Sequence, residues 1–96
     1  MKYDFFLSGP ITGVEDFRER FADAEAAVMD RFPGARVWNP ARLEAGKSYR
    51  WYMIRCLVAL FRSEQVLMLP DWQFSPGAVA ERAVAACLKM EIREVH

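Results

Sequence analysis

The chain has 96 residues, which makes one small domain that can bury a core but has modest stability by itself. Hydrophobic residues make up 53% of it and aromatic residues 14%, a globular composition that argues against disorder. Its 13 basic and 13 acidic side chains give a net charge of zero, so the charge gives no indication of a binder of polymeric nucleic acid.

Targeting segments and metal sites are not expected either. The sequence has no apolar run long enough to span a membrane, and its first residues lack the apolar region of a signal peptide. The two cysteines, Cys56 and Cys87, fall in helical apolar contexts and are expected to be buried, reduced thiols. With His96 as the single histidine, no zinc-binding set of usual spacing can be assembled. We therefore expect a cytoplasmic protein with no membrane contact, no metal and no cofactor.

The first half of the chain predicts strand, helix, strand. Residues 3–7 form an aromatic-rich apolar run followed by a Ser-Gly-Pro turn, which is typical of a buried strand. From Val14 apolar residues recur at helical spacing until Phe32-Pro33-Gly34 ends the helix, and residues 35–39 form the second strand. The predicted core side of this helix is Phe17, Phe21, Ala24 and Val28. Charged residues are assigned to its other face: Arg18, Glu19, Arg20, Asp23, Asp30 and Arg31.

The second half continues the alternation. After a polar loop over residues 40–49, a second helix is predicted from about Arg50 to Arg62. Its predicted core stripe is Ile54, Leu57, Val58 and Phe61. Residues 65–69 are a continuous apolar run, typical of a strand that is buried on both faces. A third helix from about residue 76 to residue 88 and a brief strand over residues 91–95 complete the chain.

The order β-α-β-α-β-α-β predicts an α/β domain with a small parallel sheet of about four strands and helices on both faces. In open sheets of this kind, ligands bind beyond the carboxyl ends of the strands. Three loops meet at that edge: residues 8–13, the region after Asn39, and residues 71–77. We therefore expect a ligand site where these loops converge.

The most informative stretch runs from Pro70 to Ala78, where a strand passes through a loop into a helix. Ser75 is a good N-cap, Pro76 suits the first helical position, and Gly77 lets a ligand approach the backbone. The free N–H groups of such a helix start favour an anion, and Glu81 follows Gly77 by one turn on the same side. The alternative interpretation is an ordinary helix cap followed by a solvated glutamate.

Other residues near this edge are candidates for contact with a ligand. The polar loop from Ser8 to Gly13 is pliable, but it matches neither a dinucleotide fingerprint nor a Walker loop. Asp71 and Trp72 could recognise a base or a hydroxyl group, although Trp72 could equally lie at the rim of a dimer contact. Tyr52 and Cys56 share a helix face, and nothing in the sequence activates the cysteine as a nucleophile.

A family resemblance connects these segments. The chain resembles small bacterial and phage proteins of the nucleoside 2-deoxyribosyltransferase superfamily, which also contains 2'-deoxynucleoside 5'-monophosphate N-glycosidases. The motifs that carry the resemblance are Phe6–Gly13, Asn39-Pro40, Trp51–Met53, Leu69–Trp72 and Ser75–Ala78 with Glu81. The resemblance covers nearly all of residues 1–96 as one domain. It implies a flavodoxin-like three-layer α/β/α fold and association into homodimers or larger oligomers.

The resemblance also implies a reaction. In that superfamily a glutamate attacks the anomeric carbon of a deoxyribosyl group, and water or another base then accepts the sugar. Glu81 matches this nucleophile, while Ser75 and Gly77 match the loop that holds the 5' hydroxyl or phosphate. The loop beside the sugar and base is matched by Ser8, Gly9, Pro10 and Ile11. The implied ligand is therefore a small nucleoside or nucleotide.

Two positions depart from the family pattern. The glycosidases carry a tyrosine in the first strand, where this chain has Phe6, and an aspartate on the second helix, where it has Cys56. A phenyl ring cannot form the hydrogen bond, and a thiol is a poor substitute for a carboxylate in proton transfer. Tyr52 could restore a hydroxyl group and Asp71 a carboxylate. Three functions stay open: an active enzyme, a nucleotide-binding module of the same fold without catalysis, and a structural oligomeric domain.

Overall fold

The computed structural model describes residues 2–11, 14–44 and 46–94. Within these ranges four β-strands alternate with three α-helices, which confirms the predicted order. The elements are β1 (Tyr3–Ser8), α1 (Phe17–Arg31), β2 (Val37–Trp38), α2 (Tyr49–Phe61), β3 (Ser63–Met68), α3 (Pro76–Cys87) and β4 (Glu91–Glu94). Single 3₁₀ turns at Pro40–Arg42 and Trp72–Phe74 precede α2 and α3.

The four strands form one parallel sheet in the order β2-β1-β3-β4. The central pair, β1 and β3, is in register from Tyr3 opposite Ser63 to Ser8 opposite Met68. The chain moves to one side of β1 for β2 and to the other side for β3 and β4, so the order reverses at β1 and β3. This is a small three-layer α/β fold with flavodoxin-like strand order, and its switch point lies at the carboxyl ends of β1 and β3.

The hydrophobic core has two layers, one on each face of the sheet. The face covered by α2 and α3 buries Phe6, Val66 and Met68 from the strands and Cys56, Leu60 and Ala85 from the helices. The face covered by α1 buries Leu7, Phe21, Ala41 and Leu69. Successive residues of β1 therefore point into opposite layers, as the period of a strand requires. Phe6, one of the two departures from the family pattern, is a fully buried core residue.

At their carboxyl ends, β1 and β3 continue into chain segments that lie in close contact. The Leu69 N–H donates to the Ser8 carbonyl oxygen at 2.7 Å, which holds the two chain segments together beyond the last paired residues. A Cβ atom built on Gly9 would lie 2.8 Å from the Cβ of Leu69, closer than van der Waals radii allow. Packing against Leu69 therefore requires glycine at position 9, quite apart from any ligand.

The predicted core stripe of α2 is wrong. Ile54, Val58 and Phe61 are 54%, 46% and 62% exposed, and Leu57 is only partly buried. The helix packs on the sheet through its other side, where Cys56, Ala59 and Leu60 are buried. Because α2 is apolar on both sides, its helical period could not indicate which side meets the sheet. The small Ala59 side chain also allows the helix to lie close to the strands.

Several boundaries differ from the prediction. Helix α1 begins at Phe17 rather than Val14, and β3 begins at Ser63, two residues before the apolar run. Cys87 is exposed rather than buried, because it lies at the end of α3 on the side away from the sheet. Parts of the sequence prediction at Thr12, Gly13, Val95 and His96 lie outside the described residues.

A buried acidic residue fixes the chain after β2. Glu25 of α1 is 6% exposed, and it forms a salt bridge of 2.7 Å with Arg42. It also accepts a hydrogen bond from the side-chain amide of Asn39 at 3.0 Å. The carbonyl oxygen of the same amide accepts from the Ala41 N–H at 2.9 Å and caps the 3₁₀ turn. These contacts hold the turn at the edge of the sheet where the candidate site lies.

Candidate active site

A cavity of about 440 Å³ opens at the carboxyl ends of β1, β2 and β3. Its wall is built from the segments that follow these strands, from the start of α1 and from the facing sides of α2 and α3. The lining residues fall within 9–11, 17–18, 40–43, 49–56 and 74–81. The volume is in the range of small-molecule sites, and the position is the one that the topology of the sheet predicts.

Glu81 is the acidic residue in this wall, and Ser8 holds it. The Ser8 hydroxyl donates to the Glu81 carboxylate at 2.5 Å, and the Ser8 side chain is almost completely buried. Burial raises the pKa of Glu81 to about 7, although hydrogen bonds from Ser8 and Cys56 favour the ionised form. The site therefore holds a partly desolvated carboxyl group that changes its charge near neutral pH, a property common in reactive groups.

Cys56 lies beside this carboxyl group and remains protonated. Burial, with the neighbouring charge of Glu81 as the second cause, raises the pKa of Cys56 to about 12. A thiol with such a pKa can donate a hydrogen bond but cannot accept a proton as a general base at neutral pH. Cys56 therefore lies at the cavity, where the resemblance leads one to expect an aspartate. It cannot replace that aspartate in proton transfer.

The start of α3 forms another part of the wall, as predicted. The Ser75 hydroxyl oxygen accepts from the Ala78 N–H at 3.3 Å, and Pro76 takes the first helical position. Both Ser75 and Gly77 line the cavity. A Cβ atom built on Gly77 would meet no atom within 4 Å, so this glycine is not required by packing. Pro76 has no N–H, and the Ala78 and Val79 N–H groups donate to Ser75, so the Gly77 N–H is the donor that this helix start offers to a ligand.

The structure does not bring Asp71 and Trp72 to this cavity. Asp71 lines a separate depression together with Glu15 and Asp16. The Trp72 indole N–H donates to the Glu94 carboxylate at 2.8 Å, on the β4 side of the domain. Their predicted contact with substrate therefore has no support in the cavity wall.

Tyr52 lies in the wall, but its hydroxyl group already has a partner. It donates to the backbone carbonyl oxygen of Glu44 at 2.6 Å, which ties α2 to the loop before it. The ring of Tyr52 packs edge-on against Trp51, with ring centres 5.1 Å apart. Tyr52 therefore shapes the cavity, while the hydroxyl group is directed to the loop.

Arg18 is a wall residue that the sequence analysis assigned to the outer face of α1. Its guanidinium group donates to the Ala41 carbonyl oxygen at 2.8 Å, and its central carbon lies 5.1 Å from the centre of the Phe17 ring. Among the described lining residues it is the one cationic side chain. A helix that follows the first strand starts at the ligand edge, so its first-turn residues could have been recognised from the topology.

The pKa of Glu81 predicts how folding stability depends on pH. Its value rises from about 4.5 to about 7 on folding, so between these pH values the folded protein keeps a proton that the unfolded chain has released. The stabilisation is complete below pH 4.5 and is lost as pH rises through 7. Glu81→Gln should therefore be more stable than the parent above pH 7, by roughly 3 kcal/mol. Denaturant unfolding at several pH values measures this, and an equal pH dependence of both proteins would contradict it.

Within the described ranges, no group of three or more histidine, cysteine, aspartate or glutamate side chains could hold a metal ion. None of the helices described there combines the length and the apolar character that crossing a bilayer requires.

Comparison with curated proteins and with solved structures found no match. A family model described as a domain of unknown function, DUF4406, matches residues 3–94, and the chain therefore belongs to this family.

Proposed function

We propose that this chain cleaves, or transfers a sugar from, the N-glycosidic bond of a deoxynucleoside or its 5'-monophosphate, with Glu81 as the nucleophile. One observation carries the proposal: the Glu81 carboxyl group lies in the wall of a cavity of about 440 Å³, held by Ser8 and one helical turn beyond Gly77. Membership of the nucleoside 2-deoxyribosyltransferase superfamily is part of the same proposal and rests on the motifs quoted above.

The cavity offers distinct places for the parts of a nucleotide. The Gly77 N–H, with the Ser75 hydroxyl group and the positive end of the α3 dipole, suits the 5' phosphate. The sugar then lies near Glu81, since this residue follows the phosphate position by one turn on the same helix side. The base occupies the apolar part of the wall, where Ile11 and Met53 give it a surface to pack against.

The reaction proceeds by displacement at the anomeric carbon. A carboxylate oxygen of Glu81 forms a bond to C1' as the bond from C1' to the base nitrogen breaks, and the base leaves with the electron pair and takes a proton from the solvent. Water, or a second base, then displaces Glu81 from C1' and gives up one proton to the solvent. Hydrolysis thus consumes one water and releases the free base and the deoxyribose, or its 5-phosphate when the substrate is a monophosphate. Ser8 orients the carboxylate, whereas the protonated Cys56 cannot activate the water.

A second function is favoured by the surroundings of Glu81. Cys56 replaces the expected aspartate with a neutral thiol, and Phe6 is buried in the core without a hydroxyl group to offer. A nucleotide-binding module that has lost catalysis would keep the cavity and the start of α3.

A cytoplasmic location belongs to either proposal and is supported by the free thiols of Cys56 and Cys87.

The two functions are separated by one assay. The protein is incubated with a panel of deoxynucleosides and their 5'-monophosphates, and free base is measured by chromatography, while thermal unfolding reports binding. Release of free base supports the enzyme. A rise in melting temperature with a nucleotide, but without product, supports the binding module. Neither product nor a shift would contradict both.

A further inference from the structure

Two glutamates of the domain are withdrawn from solvent, and the fold supplies a countercharge to one of them. Glu25 is 6% exposed and forms its salt bridge of 2.7 Å with Arg42. Glu81 is partly buried, and within the described ranges no basic side chain forms an ion pair with it. Its partners are the Ser8 hydroxyl and the Cys56 thiol, which are neutral donors. Because buried charges in proteins are usually paired, the ionised Glu81 lacks a countercharge that a ligand can bring.

The two arginines that come nearest to Glu81 in the sequence or in the cavity wall are held by other groups. Arg82 follows Glu81 on α3, and its guanidinium carbon lies 5.0 Å from the centre of the Trp72 ring. Arg18 lines the cavity, but its guanidinium group donates to the Ala41 carbonyl oxygen. Neither arginine therefore neutralises the carboxylate in the cavity.

The wall also has no strong proton donor for a leaving base. Among the described lining residues Glu81 is the single carboxyl group, and neither histidine nor lysine is present. The other hydrogen-bonding side chains are a guanidinium group, two phenols, a thiol and a hydroxyl group, and groups of these kinds keep their protons at neutral pH. Burial raises the pKa of the thiol, Cys56, to about 12. A neutral base would therefore leave without general acid catalysis, which contributes about 10²–10⁴-fold in rate.

Two uncovered aromatic rings lie in the same wall. Tyr49 and Phe74 line the cavity and are 67% and 83% exposed. In the part of the chain that the structure describes, neither ring packs against another aromatic ring or a basic side chain. Phe74 also borders the separate depression, which contains three carboxylates and one arginine. Free aromatic faces beside acidic side chains favour a positively charged ligand.

We propose that the substrate is an N-glycoside whose base already carries a positive charge, as an N7-alkylated purine or a pyridinium ring does. This inference rests on the proposed function and names its substrate class. The cationic ring supplies the missing countercharge of Glu81 and packs against the uncovered aromatic rings. The 5' phosphate keeps its place at the Gly77 N–H.

The charge of the base also removes the need for a proton donor. As a Glu81 carboxylate oxygen bonds to C1', the bond from C1' to the base nitrogen breaks, and its electron pair neutralises the ring. The base leaves as a neutral molecule, and no proton moves in this step. Water then displaces Glu81 from C1' and gives one proton to the solvent. The products are the neutral base, the deoxyribose 5-phosphate, one proton and the regenerated carboxylate.

Binding is tested with two nucleotides that cannot be cleaved, because carbon joins the ring to C1'. One carries an N-methylpyridinium ring, and the other carries a tolyl ring of the same shape without the charge. Above pH 7, where the pKa of Glu81 makes it ionised, the full chain should bind the cationic nucleotide at least roughly 10-fold more tightly, as measured by calorimetry. Glu81→Gln should bind both equally, since glutamine has no charge. The matched control Glu44→Gln should keep the preference.

Turnover is tested with cationic and neutral substrates. Release of free base is measured for 7-methyl-2'-deoxyguanosine 5'-phosphate, for nicotinamide 2'-deoxyriboside 5'-phosphate and for 2'-deoxyguanosine 5'-phosphate, after subtraction of the release without enzyme. We expect kcat/KM for at least one cationic substrate to exceed that for the neutral one at least roughly 100-fold, the lower limit of what a general acid contributes. The faster of the two cationic substrates identifies the ring as a purine or a pyridinium.

Three results would overturn the proposal. Equal binding of the two uncleavable nucleotides by the parent chain would show that Glu81 does not select a cation, and so would a preference that persists in Glu81→Gln. Comparable kcat/KM for neutral and cationic substrates would also refute it, while leaving the proposed function intact. Absence of release from all three substrates would contradict the proposed function and this inference together.

Discussion

Glu81→Gln should lower the release of free base from deoxynucleoside 5'-monophosphates at least about 1,000-fold, since it removes the proposed nucleophile. Glutamine has the shape of the protonated glutamic acid and keeps an oxygen that can accept from the Ser8 hydroxyl, so the fold and the cavity should persist. Nucleotide binding, measured by thermal shift, should change much less than turnover. The rate is measured as product per unit time at saturating substrate.

Glu44→Gln is the matched control for this experiment. It makes the same chemical change at an exposed side chain of the loop before α2, whose ion pair with Lys47 spans 3.7 Å. The control should keep its activity, because surface ion pairs contribute little.

The parent rate should rise with pH through about 7, since the attacking form of Glu81 is the ionised one. Activity retained in Glu81→Gln, or a rate that falls through pH 7, would contradict a nucleophilic role.

Gly9→Ala should destabilise the protein by about 2 kcal/mol and lower its melting temperature by roughly 10 °C. The added methyl group would lie 2.8 Å from the Cβ of Leu69, so one of the two central strand ends must move. These ends are joined by the hydrogen bond from Leu69 to Ser8, and Ser8 in turn holds Glu81. Thermal and denaturant unfolding measure the loss.

Gly77→Ala provides the comparison, because it adds the same methyl group where no atom lies within 4 Å. Its stability should be unchanged or slightly higher, since alanine favours the helix more than glycine does. Binding of a nucleotide should nevertheless weaken, because the methyl group projects beside the Gly77 N–H that is proposed to receive the phosphate. Equal destabilisation by both changes would contradict the packing role of Gly9, and unchanged nucleotide binding would contradict the phosphate site.

Much of the fold could be predicted because the local signals agree with one another. Apolar runs of strand length alternate with helical periods, and turn residues such as Pro33-Gly34 separate them. The orientation of α2 could not be predicted, because both of its sides are apolar. Helical period identifies a face that is suited to packing, but it does not say whether the sheet or another molecule covers it. The exposure of Ile54 and Phe61 is informative for this reason.

Sequence predicts those parts of the candidate site whose position follows from the topology of the sheet. It does not predict contacts between segments that are distant in the sequence. The position of Gly77 and Glu81 follows from a helix that starts at the ligand edge of the sheet. The hydrogen bond from Ser8 to Glu81 joins residues 73 positions apart, and it depends on the register of β1 and β3. Asp71 has a φ of 69°, a left-handed conformation, and the 3₁₀ turn that follows carries Trp72 towards β4. Local sequence gives little indication of that change of direction.

The stereochemistry of methanol transfer tests the nucleophilic role of Glu81 most directly. Enzyme and a deoxynucleoside 5'-monophosphate react in dilute methanol, and the anomeric configuration of the methyl deoxyriboside phosphate is read by NMR. Attack by Glu81 followed by attack of methanol inverts the anomeric carbon twice, so the product should retain the β configuration of the substrate. An inverted α product would show that methanol attacks the substrate directly and would contradict a covalent intermediate on Glu81. Absence of any product would contradict the proposed activity itself.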